Sequence, residues 1–346
     1  LLFGLSGVVN LDGGLAAAGA IGLAALLGTS DAANSTAALV SARAGTYRSI
    51  GAWSVGWHLV GGIVAGTAVA RTVVGIVHVR PILAAATYAA ACLSSVAFTT
   101  LTTRRGLPTS ASVGLVGGLA GAGVMAGGWH AVDWGRFDGL RLVGVVGVLL
   151  GIVIAPLVGA LATAAVARSL RRPGYRLRRT ALGPLHGGIW LASAAVGLAD
   201  GTNDGQKAMG ILAVALTGGA VLGGRGLQIS WTVRILCAAV LAAGTVVGGR
   251  RIVATVSGGL STTSSVEDLA AQGTSAGVIF LGAVAGLPLS TSTVVTSAMV
   301  GSGLVGRRRH VRWEGVLRVL AVWVVTLPAC GALGAALYEL IRLVGR

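Results

Sequence analysis

Charge is scarce in this chain. Only 10% of its 346 residues are charged, and they include ten acidic side chains and a single lysine, Lys207. A soluble domain averages about 25% charged residues, so this sequence cannot coat a water-facing globule. Periplasmic solute binders, cytosolic enzymes and nucleic-acid proteins are excluded on that ground. Cysteine is scarce as well: Cys92, Cys237 and Cys330 each stand in an apolar run, far apart and without metal-ligand spacing, and read as small apolar side chains. The five histidines, His58, His78, His130, His186 and His310, are scattered without partner spacing. That pattern counts against a membrane-embedded enzyme acting on lipid phosphates, which needs a general base or a metal cluster.

What is abundant is apolar. The chain is 54% hydrophobic with 57 glycines, and its mean hydropathy is +0.85. At about 20 residues per span, it has room for roughly nine to eleven membrane-embedded segments, so an all-α polytopic membrane protein is expected. The net charge of +16 comes from arginines between apolar windows, a pattern of orientation and lipid contact with no nucleic-acid partner. The densest cluster, Arg168, Arg171, Arg172, Arg176, Arg178 and Arg179 around Pro173-Gly174, makes 168–180 a basic cytoplasmic loop by the positive-inside rule. The expected location is the plasma (inner) membrane of a bacterium, multi-pass. No cleavable signal stands out, and a chain opening at Leu1 without methionine is expected to lack its extreme N-terminus.

The basic loop divides two similar halves, 1–167 and 181–346. The window Leu269 to Gly306 holds 38 residues without a charge, about 57 Å as one helix against a hydrocarbon core about 30 Å thick. It must turn, and Gly286-Leu287-Pro288 near its middle is the break. The first half carries the same triplet at Gly106-Leu107-Pro108, which lies 180 residues earlier and is likewise followed by hydroxyls. Re-entrant helical hairpins are therefore expected near 106–127 and 286–303. Upstream of each break stands an acidic motif, Asp31 with Asn34 and then Asn203 with Asp204. Two internal repeats of this kind are the signature of a transporter built by duplication. Whether they are inverted depends on an odd number of crossings per half, which the broken segments leave open.

Each intramembrane carboxylate costs about 2.5 to 3.5 kcal/mol on insertion scales. Asp12, Asp133, Asp138, Glu314 and Glu339 lie near segment ends, where a solvated charge suffices. Glu267 and Asp268 either cap a helix start or face a cavity. Asp31, Asp200 and Asp204 remain, inside apolar windows beside asparagines. A spacing of three puts Asp31 and Asn34 on one helical face, where carboxylate and amide oxygens suit a hard cation or a proton. The competing reading is a cap on a broken helix. The hydroxyls Thr109, Ser110 and Ser112, and Ser290, Thr291 and Ser292, follow the two breaks. A helix starting inside the membrane offers free N–H groups and its positive dipole end to an anion, and hydroxyls add neutral donors around it.

Asp31-Ala-Ala-Asn-Ser35, the string Gly201-Thr-Asn-Asp-Gly-Gln-Lys-Ala-Met-Gly-Ile211 and the two Gly-Leu-Pro segments together resemble the inorganic phosphate transporter (PiT) family over nearly the whole chain. The resemblance implies a secondary transporter with two inverted repeats that imports phosphate, or its monoanionic metal complex, with Na+ or H+ as coupling cation and no cofactor. It implies that Asp31, Asn34, Asn203 and Asp204 hold the coupling cation, that Asp31 and Asp204 reach the phosphate, and that Lys207 either meets the phosphate directly or braces Asp204. Thr109, Ser110, Ser112, Ser290, Thr291 and Ser292 would be the ligands at the hairpin tips. A homo-oligomer is compatible with it. The chain departs from the family's usual bacterial histidines at Ser30, Asp200, Val113 and Thr293, and Ala111 replaces a hydroxyl residue. Those departures keep open a sulfate or other oxyanion permease of the same family.

Overall fold

A computed structural model describes residues 11–105, 109–139, 141–170, 182–220, 227–256, 265–305 and 313–345. Gly106-Leu107-Pro108 and most of the 168–180 loop lie outside the described residues, as does the extreme N-terminus. Eleven helices make up the described chain: α1 (Leu11–Ser41), α2 (Tyr47–Val64), α3 (Ala68–Val74), α4 (Pro81–Arg104), α5 (Ala111–Gly127) and α6 (Gly144–Leu170), then α7 (Leu182–Leu216), α8 (Trp231–Val256), α9 (Ser265–Val284), α10 (Thr291–Val305) and α11 (Trp313–Val344). The helical architecture has one small exception. Between α5 and α6 the strands β1 (Arg136–Asp138) and β2 (Arg141–Val143) pair antiparallel, with Phe137 opposite Leu142.

Five described helices are long and apolar enough to cross a membrane, or six if the bent α2–α3 pair, with its 73° break, counts as one span. The break between α2 and α3 keeps its backbone groups occupied, because Gln206 accepts from Val69 N–H at 2.9 Å and Arg234 donates to the Ala65 carbonyl. Unpaired backbone polar groups at this depth would cost several kcal/mol each. The apolar windows on either side of Asp31 run as one helix, α1, and those flanking the Gly201 to Ile211 string run as α7. Neither acidic motif caps a broken helix. Tertiary partners, described below, satisfy these polar side chains within an unbroken helix.

The halves pack alike. Exchange of α1 with α7, α2 with α8, α4 with α9, α5 with α10 and α6 with α11 turns each major contact into another: α1 on α8 becomes α7 on α2, α1 on α4 becomes α7 on α9, and α5 on α11 becomes α10 on α6. The helix pairs α4–α5 and α9–α10 form the two breaks, so each hairpin includes the long helix before its Gly-Leu-Pro as well as the short one after it. The second break is closed by a Schellman motif, with Gly286 at φ 77° donating to the Ala283 carbonyl and Leu287 to that of Gly282. Only glycine takes that φ without strain.

Both motif helices lie against their partners through glycine. A Cβ on Gly28 would run into the Leu241 carbonyl of α8, and one on Gly201 into the His58 carbonyl of α2. Each glycine stands three residues before its aspartate, Asp31 or Asp204, so the close crossing fixes the depth of that aspartate. Gly28→Val and Gly201→Val are each expected to force the backbones apart, at about 1–3 kcal/mol or more. The check is the yield of monodisperse protein on size-exclusion chromatography, and wild-type yield from both variants would contradict the assignment.

Candidate functional site

The hairpin tips of the two halves meet. Ser110 caps α5 by accepting from Val113 N–H at 3.3 Å. One residue into that helix, Ser112 donates to the Leu289 carbonyl of the other break at 3.2 Å. The N-terminus of α10 begins two residues after Leu289, at Thr291. Two helix starts thus open toward one another, each with free N–H groups and the positive end of a dipole.

Lys207, fully buried, stands at this junction. An ammonium has three protons to give, and all three are used: on Ser112 Oγ at 2.6 Å, on the Leu289 carbonyl at 2.6 Å and on Asp204 Oδ1. Thr291 Oγ1 lies 2.8 Å from Asp31 Oδ1 and 3.3 Å from Asp204 Oδ2, tying the second tip to both motif helices. Asn34 Nδ2 reaches Asp31 at 3.3 Å, Asp200 at 3.1 Å and Thr291 at 3.4 Å. The backbone carbonyl of Asn34 accepts from Gln272 Nε2 at 2.7 Å. The halves therefore match by position: Asp31 carries Asn34 one turn on, and Asp204 carries Lys207.

Among the residues singled out in the sequence, Asp31, Asn34, Asp204, Lys207, Ser112 and Thr291 come together here. Asp200 joins them through Asn34, whereas Asn203, Thr109 and Ser110 are engaged elsewhere. Asn203 donates to the Leu287 carbonyl at 2.9 Å, bracing the second break. Thr109 shares a 2.8 Å hydrogen bond with Thr102 of α4. Ser110 caps α5, while Ser290 is buried and Ser292 half-buried at the start of α10. Sequence reasoning passed over one pairing: His58 Nε2 lies 3.7 Å from Asp200 Oδ2, both side chains fully buried. The reading of the histidines as partnerless is corrected, because α2 and α7 pack together although the two residues are far apart in the chain. No local spacing could signal it.

The cluster is strongly polar in electrostatic terms. Asp31, Asp200 and Asp204 are all buried to within 1%, against the one ammonium of Lys207. With His58 neutral the formal sum is −2. At an effective dielectric of about 20, two like charges 4 Å apart repel by about 4 kcal/mol, so these carboxylates, where ionised, oppose an anion at the junction.

Comparison with known proteins gives a consistent answer. The model of the phosphate transporter family matches twice, at residues 27–181 and 179–334. A probable low-affinity inorganic phosphate transporter of Mycobacterium tuberculosis (strain CDC 1551 / Oshkosh) is 35% identical over 320 residues, 92% of this chain and 75% of the relative. One of Bacillus subtilis (strain 168) is 31% identical over 259 residues, 74% of either chain. The fold is similar to a solved structure described as the sodium-dependent phosphate transporter, with a TM-score of 0.80 at 20% identity, covering 96% of this chain and 99% of that one.

Proposed function

We propose, since this chain belongs to the phosphate transporter family, that it imports inorganic phosphate by cation-coupled symport across a bacterial plasma membrane. The observation that carries this reading is the junction of two helix starts, Lys207 and two hydroxyls beside buried carboxylates. In it, the Ser112 hydroxyl and the Lys207 ammonium turn from the Leu289 carbonyl to the oxygens of a phosphate seated between the tips. Coupling cations, Na+ or H+, neutralise Asp31 and Asp204, with Asn34 supplying an amide beside them.

The coupling follows from charge. A phosphate monoanion would take the cluster from −2 to −3, so phosphate binding waits on the cations and the loaded site is close to neutral. Only a site in that condition crosses between its two accesses cheaply, because an uncompensated charge is costly in a low-dielectric interior. Selectivity follows from protons. Phosphate that retains an O–H can donate to Asp31 or Asp204, whereas sulfate at neutral pH offers acceptors alone and leaves the carboxylates facing them. The two halves exchange as inverted repeats about this site, giving alternating access.

The test is uptake of labelled phosphate into proteoliposomes under sodium and proton gradients imposed separately. Accumulation above the outside concentration is expected under one of the two, which identifies the coupling cation, and excess sulfate is expected to leave it unchanged. Equilibration without accumulation under both gradients would contradict symport. Full competition by sulfate would shift the substrate to another oxyanion of the same family. A phosphate carried as its metal complex is expected to require the divalent ion in the outside medium.

A further inference from the structure

Asp200 enters the phosphate reading only through its charge and His58 does not enter it at all, and the geometry of the pair is unusual. His58 Nδ1 lies 2.8 Å from the Ser54 carbonyl. A carbonyl only accepts, so Nδ1 carries the proton. In the neutral ring Nε2 is then a bare lone pair turned toward Asp200 Oδ2 at 3.7 Å, acceptor against acceptor. In the charged ring an Nε2–H would stand beyond hydrogen-bonding range of that oxygen. Asp31 joins them: one ligand atom each from Asp31, His58 and Asp200 lie within 4.8 Å of one another, all buried. Three acceptor atoms here, Asp31 Oδ2, Asp200 Oδ1 and His58 Nε2, have no hydrogen-bond partner among the described residues.

We propose that Asp31, His58 and Asp200 form a buried site for a first-row divalent metal ion of the zinc or manganese class. One dication held by these three side chains cancels two carboxylate charges and brings the formal sum of the cluster from −2 to 0, so that a phosphate monoanion then calls for one coupling cation to reach neutrality. A mixed set of one imidazole nitrogen and two carboxylates favours such ions over Na+ or Mg2+, for which imidazole is a poor ligand. The 3.7 Å between His58 Nε2 and Asp200 Oδ2 suits two ligands each about 2.0–2.2 Å from one ion. The Nδ1–H bond to a backbone carbonyl is the usual support of a metal-bound histidine, since it fixes the tautomer and the ring orientation. Gly197 makes room for that ring: a Cβ there would lie 3.2 Å from His58 Nδ1 and 3.5 Å from Cε1.

Helix packing alone does not require the pair. Gly28 and Gly201 correspond in the two halves, and they face the Leu241 and His58 carbonyls respectively. Asp200, just before Gly201, therefore matches Leu27, and His58 matches Leu241. Leu27 and Leu241 are both buried and apolar. The fold thus accepts leucines at this crossing in one half and carries a histidine and an aspartate in the other. Asp31 links the metal to the phosphate site, because its Oδ1 receives Thr291 while its Oδ2 is one of the orphaned acceptors.

The test uses the full chain, purified in detergent, stripped with chelator and kept free of phosphate. Titration with Co2+ is expected to give visible d–d bands that saturate at one ion per chain and bleach when Zn2+ is added. X-ray absorption of the zinc-loaded wild type is expected to show an imidazole in the metal shell. His58→Gln and Asp200→Asn should each weaken Co2+ binding on the order of 100-fold or more, since each removes a direct ligand where loss of an outer partner alone costs 10- to 100-fold. Ser112→Ala should keep the bands while losing phosphate uptake. Absence of saturable bands in the wild type, a zinc shell without imidazole, or unchanged bands in both ligand variants would overturn the proposal. Phosphate uptake intact alongside any of these would leave the transport reading standing. Co2+ binding without phosphate uptake by the wild type would do the reverse.

Discussion

Lys207→Met is expected to destabilise the protein by about 3–5 kcal/mol, because it strands the Asp204 carboxylate as an unpaired buried charge. The same change leaves the Leu289 carbonyl and the Ser112 hydroxyl without their cationic donor. The double variant Asp204→Asn/Lys207→Met removes both charges and should recover most of the lost thermal stability, since replacing a buried ion pair by neutral groups is often close to neutral. Phosphate uptake should be absent from both. Thermal unfolding in detergent and uptake by the same preparations separate the two effects. A single variant as stable as the wild type would contradict the buried-pair account, and uptake by the double variant would contradict the role of Lys207 at the phosphate.

The second large effect concerns Asp31. Asp31→Asn keeps the size of the side chain and its ability to receive Thr291, but removes the charge that a coupling cation neutralises. Losing one member of a buried charged pair costs about 2–5 kcal/mol or more, so phosphate uptake is expected to fall by roughly 30-fold at least. The residual rate should also lose its dependence on the concentration of the driving cation. Asp204→Asn is expected to behave in the same way. Wild-type uptake by both variants, with the usual steep cation dependence, would refute the assigned roles.

Much of this was legible in the sequence for identifiable reasons. A charge-free window too long for the bilayer had to turn, and Gly286-Leu287-Pro288 contained the one residue type able to take φ 77°. Paired motifs told of a duplication that the exchange of helix contacts repeats. The true equivalence of the motifs was harder to read. The sequence suggests pairing Asp31 and Asn34 with Asn203 and Asp204, whereas the helices place Lys207 at the position of Asn34, one turn after each aspartate. Gly28 and Gly201 carry that alignment, and so does the Pro-x-x-Gly that recurs as Pro156 to Gly159 in α6 and Pro328 to Gly331 in α11.

The rest was hidden because it is tertiary. Periodicity cannot tell that Ser112 reaches the Leu289 carbonyl while Thr109 turns back to Thr102, since both hydroxyls follow the same break. Nor can it show that α1 and α7 run unbroken through their acidic residues, because the groups that satisfy Asp31 and Asp204 include Thr291 from a distant break. His58 and Asp200 meet only through the crossing of α2 and α7, and each alone reads as an isolated polar residue in an apolar run.

The most direct measurement is a structure of the purified transporter in a lipid disc with phosphate and the driving cation present. A phosphate between α5 and α10, within hydrogen-bonding distance of Ser112, Thr291 and Lys207 and beside Asp31 and Asp204, is the expected result. Phosphate held elsewhere, with Ser112 still donating to the Leu289 carbonyl and Lys207 still locked on Asp204, would contradict the account at its centre.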